Sequence, residues 1–208
     1  EPITLAFDTS AAHCAAALMR GDTVLAARVE EMGKGQVERL MPLLEELLAE
    51  AGLGWRDLSV IGVGIGPGNF TGVRISVSAA RGLALGLGIP AIGVSTLEAL
   101  AEGAPRPVAV VLDARRGEAY AQSFTAEGAE PPHLAPVETL AADLAGTPVI
   151  GLSLPGCPAA VAALPLAVAI AQIAARRAAT PQPRPAPLYL RGADAAPPSD
   201  PPPVILDA

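Results

Sequence analysis

The sequence predicts an α/β fold built from two related lobes. Short apolar segments that fit strands alternate with longer segments whose apolar residues recur at helical spacing. An apolar strand followed by Asp, a short turn and a second strand occurs twice, around Asp8 and around Asp113, about half the chain apart. Because a strand followed by Asp and a turn is common in α/β proteins, this repeat alone leaves open whether the lobes are duplicates.

The first half opens with three predicted strands and a helix. Residues 3–7, 15–19 and 23–29 are apolar runs separated by turn residues, as expected for strands. Between Lys34 and Ala51 the apolar positions fit an amphipathic helix. Its apolar arc is wider than packing on one sheet requires. Two explanations stay open: the helix is deeply packed in the core, or part of it contacts another chain.

A glycine-rich turn over residues 66–72 lies between a predicted buried strand, residues 60–65, and a predicted helix, residues 73–87. No Gly-Lys-Ser/Thr follows, which excludes a Walker A loop, and the glycine spacing misses the dinucleotide pattern by one residue. The helix is rich in small residues, which would let another helix approach closely. Periodicity does not show whether that helix belongs to the same chain.

The second half repeats the strand pattern less clearly. Ser95 and Glu98 have the spacing of a capping box that opens a short helix, and residues 103–107 form a predicted linker. We therefore predict an N-terminal lobe over 1–103, a smaller lobe over 104–193 and a flexible proline-rich tail over 194–208. Further predicted elements are strands at 91–94, 108–112, 119–124 and 148–152, helices at 156–164 and 166–179, and a docked segment at 188–191.

Composition excludes several classes of protein. The net charge is −7 and no stretch gathers Lys or Arg, so autonomous binding to nucleic acid is not expected. The two cysteines have no partners at the spacing of a zinc site. Glycine, proline or charge interrupts each apolar stretch before membrane-spanning length, so we expect a cytoplasmic protein without a membrane segment.

Catalytic motifs are scarce. The sequence has no His-Glu-x-x-His and no Gly-x-Ser-x-Gly, and His13 and His133 are interpreted as incidental turn residues. The triplet 8–10, Asp-Thr-Ser, ends a strand and could clamp a metal-bound phosphate, but the same triplet also makes a good turn and helix cap. Both interpretations stay open.

Six segments in chain order carry a resemblance to one known family. They are ITLAFDTS at 3–10, ERLMP at 38–42, GPGNFTGVRI at 66–75, GVSTL at 93–97, DARRGE at 113–118 and PLYLR at 187–191. Together they resemble the TsaB (YeaZ) accessory proteins of bacterial tRNA threonylcarbamoyladenosine biosynthesis. The resemblance covers the N-terminal half and the start of the second, with a further similar segment near the end.

This resemblance implies an actin-like ATPase (ribonuclease H-like) fold with two duplicated lobes and a non-catalytic role. Members of the family pair with the related catalytic subunit TsaD and with the ATPase TsaE to place a threonylcarbamoyl group on the adenosine beside the tRNA anticodon. The implied chain binds no cofactor alone, because ATP and metal belong to the partner subunits. It contacts tRNA only through the complex and forms a homodimer when the partner is absent.

The resemblance also implies where the sites lie. The catalytic relative holds its metal with a His-x-x-x-His pair, and the matching stretch here begins at Gln36 and ends at Leu40, neither of which is a normal metal ligand. No catalytic or metal residue is therefore expected. The helices after Lys34 and after Gly72 are implied to form the partner interface, with a vestigial phosphate site nearby. The interface residues are Gln36, Leu40, Leu43, Leu47, Arg74, Ser78 and Arg81, and the phosphate-site residues are Asp8, Thr9, Ser10 and Asp113.

Two alternative functions stay open. An ATP-dependent small-molecule kinase of the actin-like superfamily would use Asp8 and Asp113 as metal-binding and base carboxylates. A metallopeptidase-like protein would need a bound zinc or iron ion. The lack of a clear adenosine motif and of a ligand set disfavours both alternatives.

Overall fold

The computed structural model describes residues 1–191, so the predicted tail at 194–208 and the last two residues of the predicted second lobe lie outside the described residues. The N-terminal half contains five strands and three helices. In chain order these are β1 (Ile3–Asp8), β2 (His13–Arg20), β3 (Thr23–Glu31), α1 (Gln36–Glu50), β4 (Val60–Gly64), α2 (Phe70–Leu87), β5 (Ala91–Val94) and α3 (Thr96–Ala101), with a short 3₁₀ turn at Trp55–Asp57.

The second half repeats this succession in reduced form. Its elements are β6 (Val108–Asp113), β7 (Glu118–Phe124), β8 (His133–Pro136), α4 (Val137–Asp143), β9 (Val149–Gly151), β10 (Ala159–Ala160) and α5 (Leu166–Arg177). The helix predicted at 156–164 is wrong. Gly156 has a left-handed backbone conformation, and the carbonyl of Pro158 accepts from Val149 in the neighbouring strand, so this segment joins the sheet instead.

Both sheets have the same topology. The N-terminal sheet has the order β3-β2-β1-β4-β5 and the second sheet has the order β8-β7-β6-β9-β10. In each sheet the first strand pairs antiparallel with the second and parallel with the fourth. The predicted α/β architecture of two duplicated lobes is therefore confirmed. The main difference is that residues 152–158, between β9 and β10, contain no helix where the first lobe has α2.

The last helix of each half packs on the sheet of the other half. Residues of α5 form an apolar cluster with the inner faces of β1 and β2, whereas Leu97 and Ala101 of α3 pack with β6 and β7. Arg177 pairs with Glu98 across the seam between the two helices. Ser95 caps α3 as predicted by accepting from Leu97, but Glu98 contacts α5 and does not complete the capping box. The α3–α5 seam thus joins the lobes.

Helix α1 supplies most of its apolar residues to the N-terminal core. Leu40 is 1% exposed, and Leu43 and Leu47 are 0% exposed, within the cluster that includes Phe7 and Leu18. Their side chains pack in the core of the same chain, and the predicted contact of these leucines with a partner stays a prediction. The wide apolar arc has its explanation in deep packing.

No helix within residues 1–191 combines the length and the apolar character needed to cross a membrane.

Candidate functional site

The turn after β1 is buried and makes hydrogen bonds within the chain. Asp8 is 0% exposed. Its Oδ1 atom accepts from the backbone N–H of Ser10 at 2.9 Å and from the Ser10 hydroxyl at 2.8 Å, and it lies 2.7 Å from Nε2 of His13. The other carboxylate oxygen, Oδ2, is buried and has no hydrogen-bond partner among residues 1–191. This turn is therefore a closed hydrogen-bonded unit that includes a histidine.

The contact between Asp8 and His13 was not predicted, because His13 was interpreted as an incidental turn residue. His13 begins β2, five positions after Asp8, and the antiparallel hairpin returns the chain across the turn. The hydrogen bond to Asp8 raises the pKa of His13, and partial burial opposes that increase. A short spacing between a carboxylate and a histidine across a predicted hairpin is the signal that would have identified the pair.

The glycine-rich turn closes directly over this unit. The Thr9 hydroxyl donates to the carbonyl of Gly72 at 2.6 Å, and the Asn69 N–H donates to the carbonyl of Ser10 at 2.6 Å. A Cβ atom on Gly68 would lie 2.3 Å from Ser10 O, and one on Gly72 would lie 2.0 Å from Thr9 O. Only glycine permits this approach, so the glycines position the start of α2 against the β1–β2 turn.

Most of the predicted vestigial phosphate site is buried. Asp8, Thr9 and Ser10 are at most 2% exposed, and Asp8 Oδ1 and the hydroxyls of Thr9 and Ser10 have internal partners, whereas Asp8 Oδ2 has none among residues 1–191. Asp113 is exposed in the other lobe, where its Oδ1 accepts from the Arg115 N–H at 2.9 Å. The structure therefore places Asp113 apart from the buried part of the triplet, as a second and differently engaged turn.

An open cleft of about 1090 Å³ lies between the lobes. Ser10 and Asp113 both line it, whereas Asp8 and Thr9 lie beneath its wall. Polar groups from both lobes reach the cleft, including Lys34 and Arg115. The cleft thus lies between the two lobes, but the Asp8 carboxylate at the end of β1 is buried and does not line it.

The stretch from Gln36 to Leu40 does not fit a metal site. The Gln36 side-chain amide donates to the carbonyl of Met32 at 3.2 Å, and Leu40 is an apolar core residue. No group of three or more His, Cys, Asp or Glu side chains arranged to hold a metal occurs in residues 1–191. The side chains at these two positions offer no ligand pair to a metal ion.

Part of α1 and α2 remains available at the surface. Arg39 and Glu46 form ion pairs on the side of α1 toward β3, and helical geometry leaves Val37 and Met41 on the opposite side of the helix. Val37 is 61% exposed and Met41 is 36% exposed. Of the predicted interface residues, Arg74, Ser78 and Arg81 of α2 are exposed and Gln36 is half-buried. We call Val37, Met41, Arg74, Ser78 and Arg81 the α1–α2 face.

Arg74 is exposed but already has contacts within the chain. Its Nε donates to the Tyr189 hydroxyl at 3.0 Å, and its guanidinium lies 3.7 Å from the centre of the Phe70 ring. The Phe70 and Tyr189 rings are 5.2 Å apart. The predicted docked segment at 188–191 is confirmed by these contacts.

Comparison of the sequence with known families identifies the family to which the chain belongs. Residues 30–150 match the family described as TsaD, tRNA N6-adenosine threonylcarbamoyltransferase. The chain belongs to the TsaD family. Two similar proteins are named tRNA threonylcarbamoyladenosine biosynthesis protein TsaB. The protein from Escherichia coli is 41% identical over 121 residues, which cover 56% of this chain and 52% of that protein. The protein from Bacillus subtilis is 42% identical over 119 residues, with the same coverage.

Solved structures extend the similarity over most of the chain. A Pseudomonas aeruginosa protein described as similar to the peptidase YeaZ has a TM-score of 0.77 and 28% identity, and it covers 92% of this chain and 100% of its own. A structure of YeaZ from Pseudomonas aeruginosa has a TM-score of 0.74 and 28% identity, and it covers 91% of this chain and 100% of its own. These matches confirm the predicted resemblance to TsaB (YeaZ) and the actin-like, ribonuclease H-like fold. The aligned region spans about half the length of the curated TsaB relatives.

Proposed function

We propose that this chain is a non-catalytic accessory subunit that pairs with TsaD, and with TsaE, for threonylcarbamoylation of the tRNA adenosine next to the anticodon. The observation that carries the proposal is the closure of the β1–β2 turn. Asp8, Thr9 and Ser10 are buried and hydrogen-bonded within the chain, so the first lobe keeps the architecture of the family without an accessible carboxylate at this strand tip. The TsaB relatives support the same assignment.

The α1–α2 face is the proposed docking surface for TsaD. It combines exposed apolar side chains on α1 with Arg and Ser side chains on α2. Apolar side chains and arginine are favoured at protein interfaces, where they lose contact with water on binding. The buried leucines of α1 support this surface from beneath by fixing the helix on the sheet. In the absence of TsaD, the same face would form a homodimer.

ATP and metal are proposed to belong to the partner subunits. The side chains of the β1–β2 turn are buried, which disfavours ATP binding there by the chain alone. Gln36 and Leu40 offer no ligand pair for a metal ion. The net charge of −7 disfavours independent binding of tRNA, so the tRNA would be held through the complex. A role on tRNA would place the chain in the cytoplasm.

Co-purification with TsaD of the same organism tests the docking surface. The double variant Val37→Glu/Met41→Glu introduces two carboxylates on exposed positions of α1 and should weaken binding at least about tenfold, equivalent to about 1.4 kcal/mol. Val161→Glu is the matched control, because Val161 is 85% exposed in the other lobe. Circular dichroism checks that both variants stay folded. Equal TsaD binding by the α1 variant and the control would contradict the proposed surface.

Reconstituted threonylcarbamoyl transfer tests the accessory role. TsaD and TsaE with this chain should modify tRNA, whereas the chain alone should not turn over any substrate. Tight Mg-ATP binding by the isolated chain in isothermal titration would instead favour the kinase alternative. Stoichiometric zinc or iron in the purified chain would favour the metallopeptidase alternative.

A further inference from the structure

We propose that residues 185–191 form an interlobe strap that sets the opening of the cleft. This segment follows α5 and crosses from the N-terminal lobe to the second lobe between Tyr189 and Arg191. Its contacts lie on two segments that also line the cleft, one at Phe70 and one at Ala114. The strap concerns the isolated chain and does not depend on the proposed partner.

The strap is anchored to the N-terminal lobe by packing and by hydrogen bonds. Pro185 is buried and lies against Gly93 of β5. The Leu188 N–H donates to the carbonyl of Ile65 at 2.8 Å, immediately after β4. Tyr189 then accepts from Arg74 at 3.0 Å and contacts the Phe70 ring. Three successive contacts of different kinds thus hold the strap along the edge of this lobe.

The next two residues belong to the second lobe. Leu190 packs with the apolar cluster of α3, β6 and β7. Arg191 donates to the carbonyl of Ala114 at 3.0 Å and pairs with Glu118 at 2.8 Å. Both polar partners belong to the β6–β7 turn. A single half-exposed ion pair is weak, so the anchor depends on the combination of the ion pair, the hydrogen bond to the carbonyl and the burial of Leu190.

The spacing of these anchors restricts the lobes. Only two residues separate Leu188, which contacts Ile65, from Arg191, which contacts Ala114. The three residue steps from Leu188 to Arg191 span about 10 Å at most. The two cleft-lining segments at Phe70 and Ala114 both contact this short stretch of chain, which limits the distance between them. The α3–α5 seam forms a separate interlobe joint, with its own Arg177 to Glu98 pair. Because the strap connects the lobes at a second place, it limits rotation of one lobe relative to the other about the α3–α5 seam.

Distance measurement between the lobes tests the strap in the full chain. Spin labels are placed on Asp22→Cys and Glu127→Cys, two exposed positions in different lobes, in a Cys157→Ser background. Cys14 is buried, and burial raises its thiol pKa to about 11, so it should resist labelling. Labelled chain is mixed with an excess of unlabelled chain, so that a homodimer carries labels on one protomer only. Double electron–electron resonance should then give one narrow distance distribution for this parent chain. Leu190→Ala/Arg191→Ala should broaden the distribution or shift it to longer distances.

A matched pair in the same segment gives the control. Gln182→Ala/Arg184→Ala removes two exposed side chains before the strap and should leave the distribution narrow. The charge swap Arg191→Glu/Glu118→Arg should restore only part of the narrow distribution, because it can re-form the ion pair but a carboxylate at position 191 cannot donate to the carbonyl of Ala114. Arg191→Glu alone should broaden the distribution further. The unfolding temperature and circular dichroism of each variant show that the lobes remain folded. A distribution for Leu190→Ala/Arg191→Ala that matches the parent chain would overturn the proposal, whatever the outcome with TsaD.

Discussion

The turns after β1 and β6 occupy equivalent places in the two lobes but have opposite environments. Each begins with an aspartate at the end of the first strand, and each strand pairs with its neighbour up to that residue, Asp8 opposite Ala15 and Asp113 opposite Ala119. Asp8 is 0% exposed and Asp113 is exposed. The aspartate alone therefore does not determine whether the turn is open to the cleft.

The difference arises from the elements that follow the fourth strand of each sheet. In the first lobe the glycine-rich turn and α2 cover the β1–β2 turn and bond to Thr9 and Ser10. In the second lobe the connection from β9 to β10 has no helix in residues 152–158, and the β6–β7 turn remains at the surface. The same strand-and-turn motif is therefore buried in the first lobe, where α2 covers it, and exposed in the second lobe, where no helix takes that place in residues 152–158.

The exposed turn has a different source of order. Arg115 and Arg116 have positive φ angles of 66° and 56°, a conformation that is unusual for residues other than glycine. The Asp113 carboxylate accepts from the Arg115 N–H, and Arg191 contacts Ala114 and Glu118. The second turn is therefore held from outside by the strap, whereas the first is held by the helix that covers it.

Adding a methyl group at the covered turn should have the largest effect. Gly72→Ala places a Cβ atom 2.0 Å from a backbone carbonyl oxygen that cannot move independently. We expect a loss of about 3 kcal/mol in the free energy of unfolding, as for an overpacked core. Gly82→Ala, in the same helix, meets nothing within 4 Å and should stabilise the chain by about 0.5 to 1 kcal/mol. Urea denaturation measures both, and equal stabilities would show that the turn is not closed.

Substituting the aspartate of each turn should lower the free energy of unfolding by different but smaller amounts in the two lobes. Asp8→Ala leaves the N–H and hydroxyl of Ser10 and the ring of His13 without their shared acceptor, at a cost of about 2 kcal/mol. Asp113→Ala removes one exposed hydrogen bond and should cost about 0.5 kcal/mol. The same denaturation experiment applies. Similar losses from the two substitutions would mean that burial does not distinguish these turns.

In the first half, the order of strands and helices could be predicted from the sequence because it depends on local patterns, whereas β8, α4 and β10 of the second half were not predicted. The apolar runs, the helical spacing of α1 and the glycines after β4 all specified their elements. The direction of the α1 leucines could not be predicted, because periodicity shows a common face and not which structure covers it. The Asp8–His13 contact depends on hairpin geometry, and the Arg191–Glu118 contact depends on how the strap crosses between lobes. The exchange of α3 and α5 between sheets is likewise a property of tertiary packing.

The smallest expected effect is a pH dependence of stability, which arises from the histidine beside the turn of the first lobe. His13 has a pKa raised above the ordinary 6.5, first by its hydrogen bond to Asp8 and also by the charges of Asp8 and Glu31, whereas burial opposes the increase. A raised pKa means that the folded state binds this proton more tightly than the unfolded state. The stabilisation from protonated His13 is therefore fully present below about pH 6.5 and disappears as pH rises through the raised pKa. Denaturation from pH 5 to pH 9 should show a stability advantage of the wild type over His13→Asn that decreases with pH. A pH-independent difference for His13→Asn would mean that the ring remains neutral and that its contact with Asp8 acts only as a hydrogen bond.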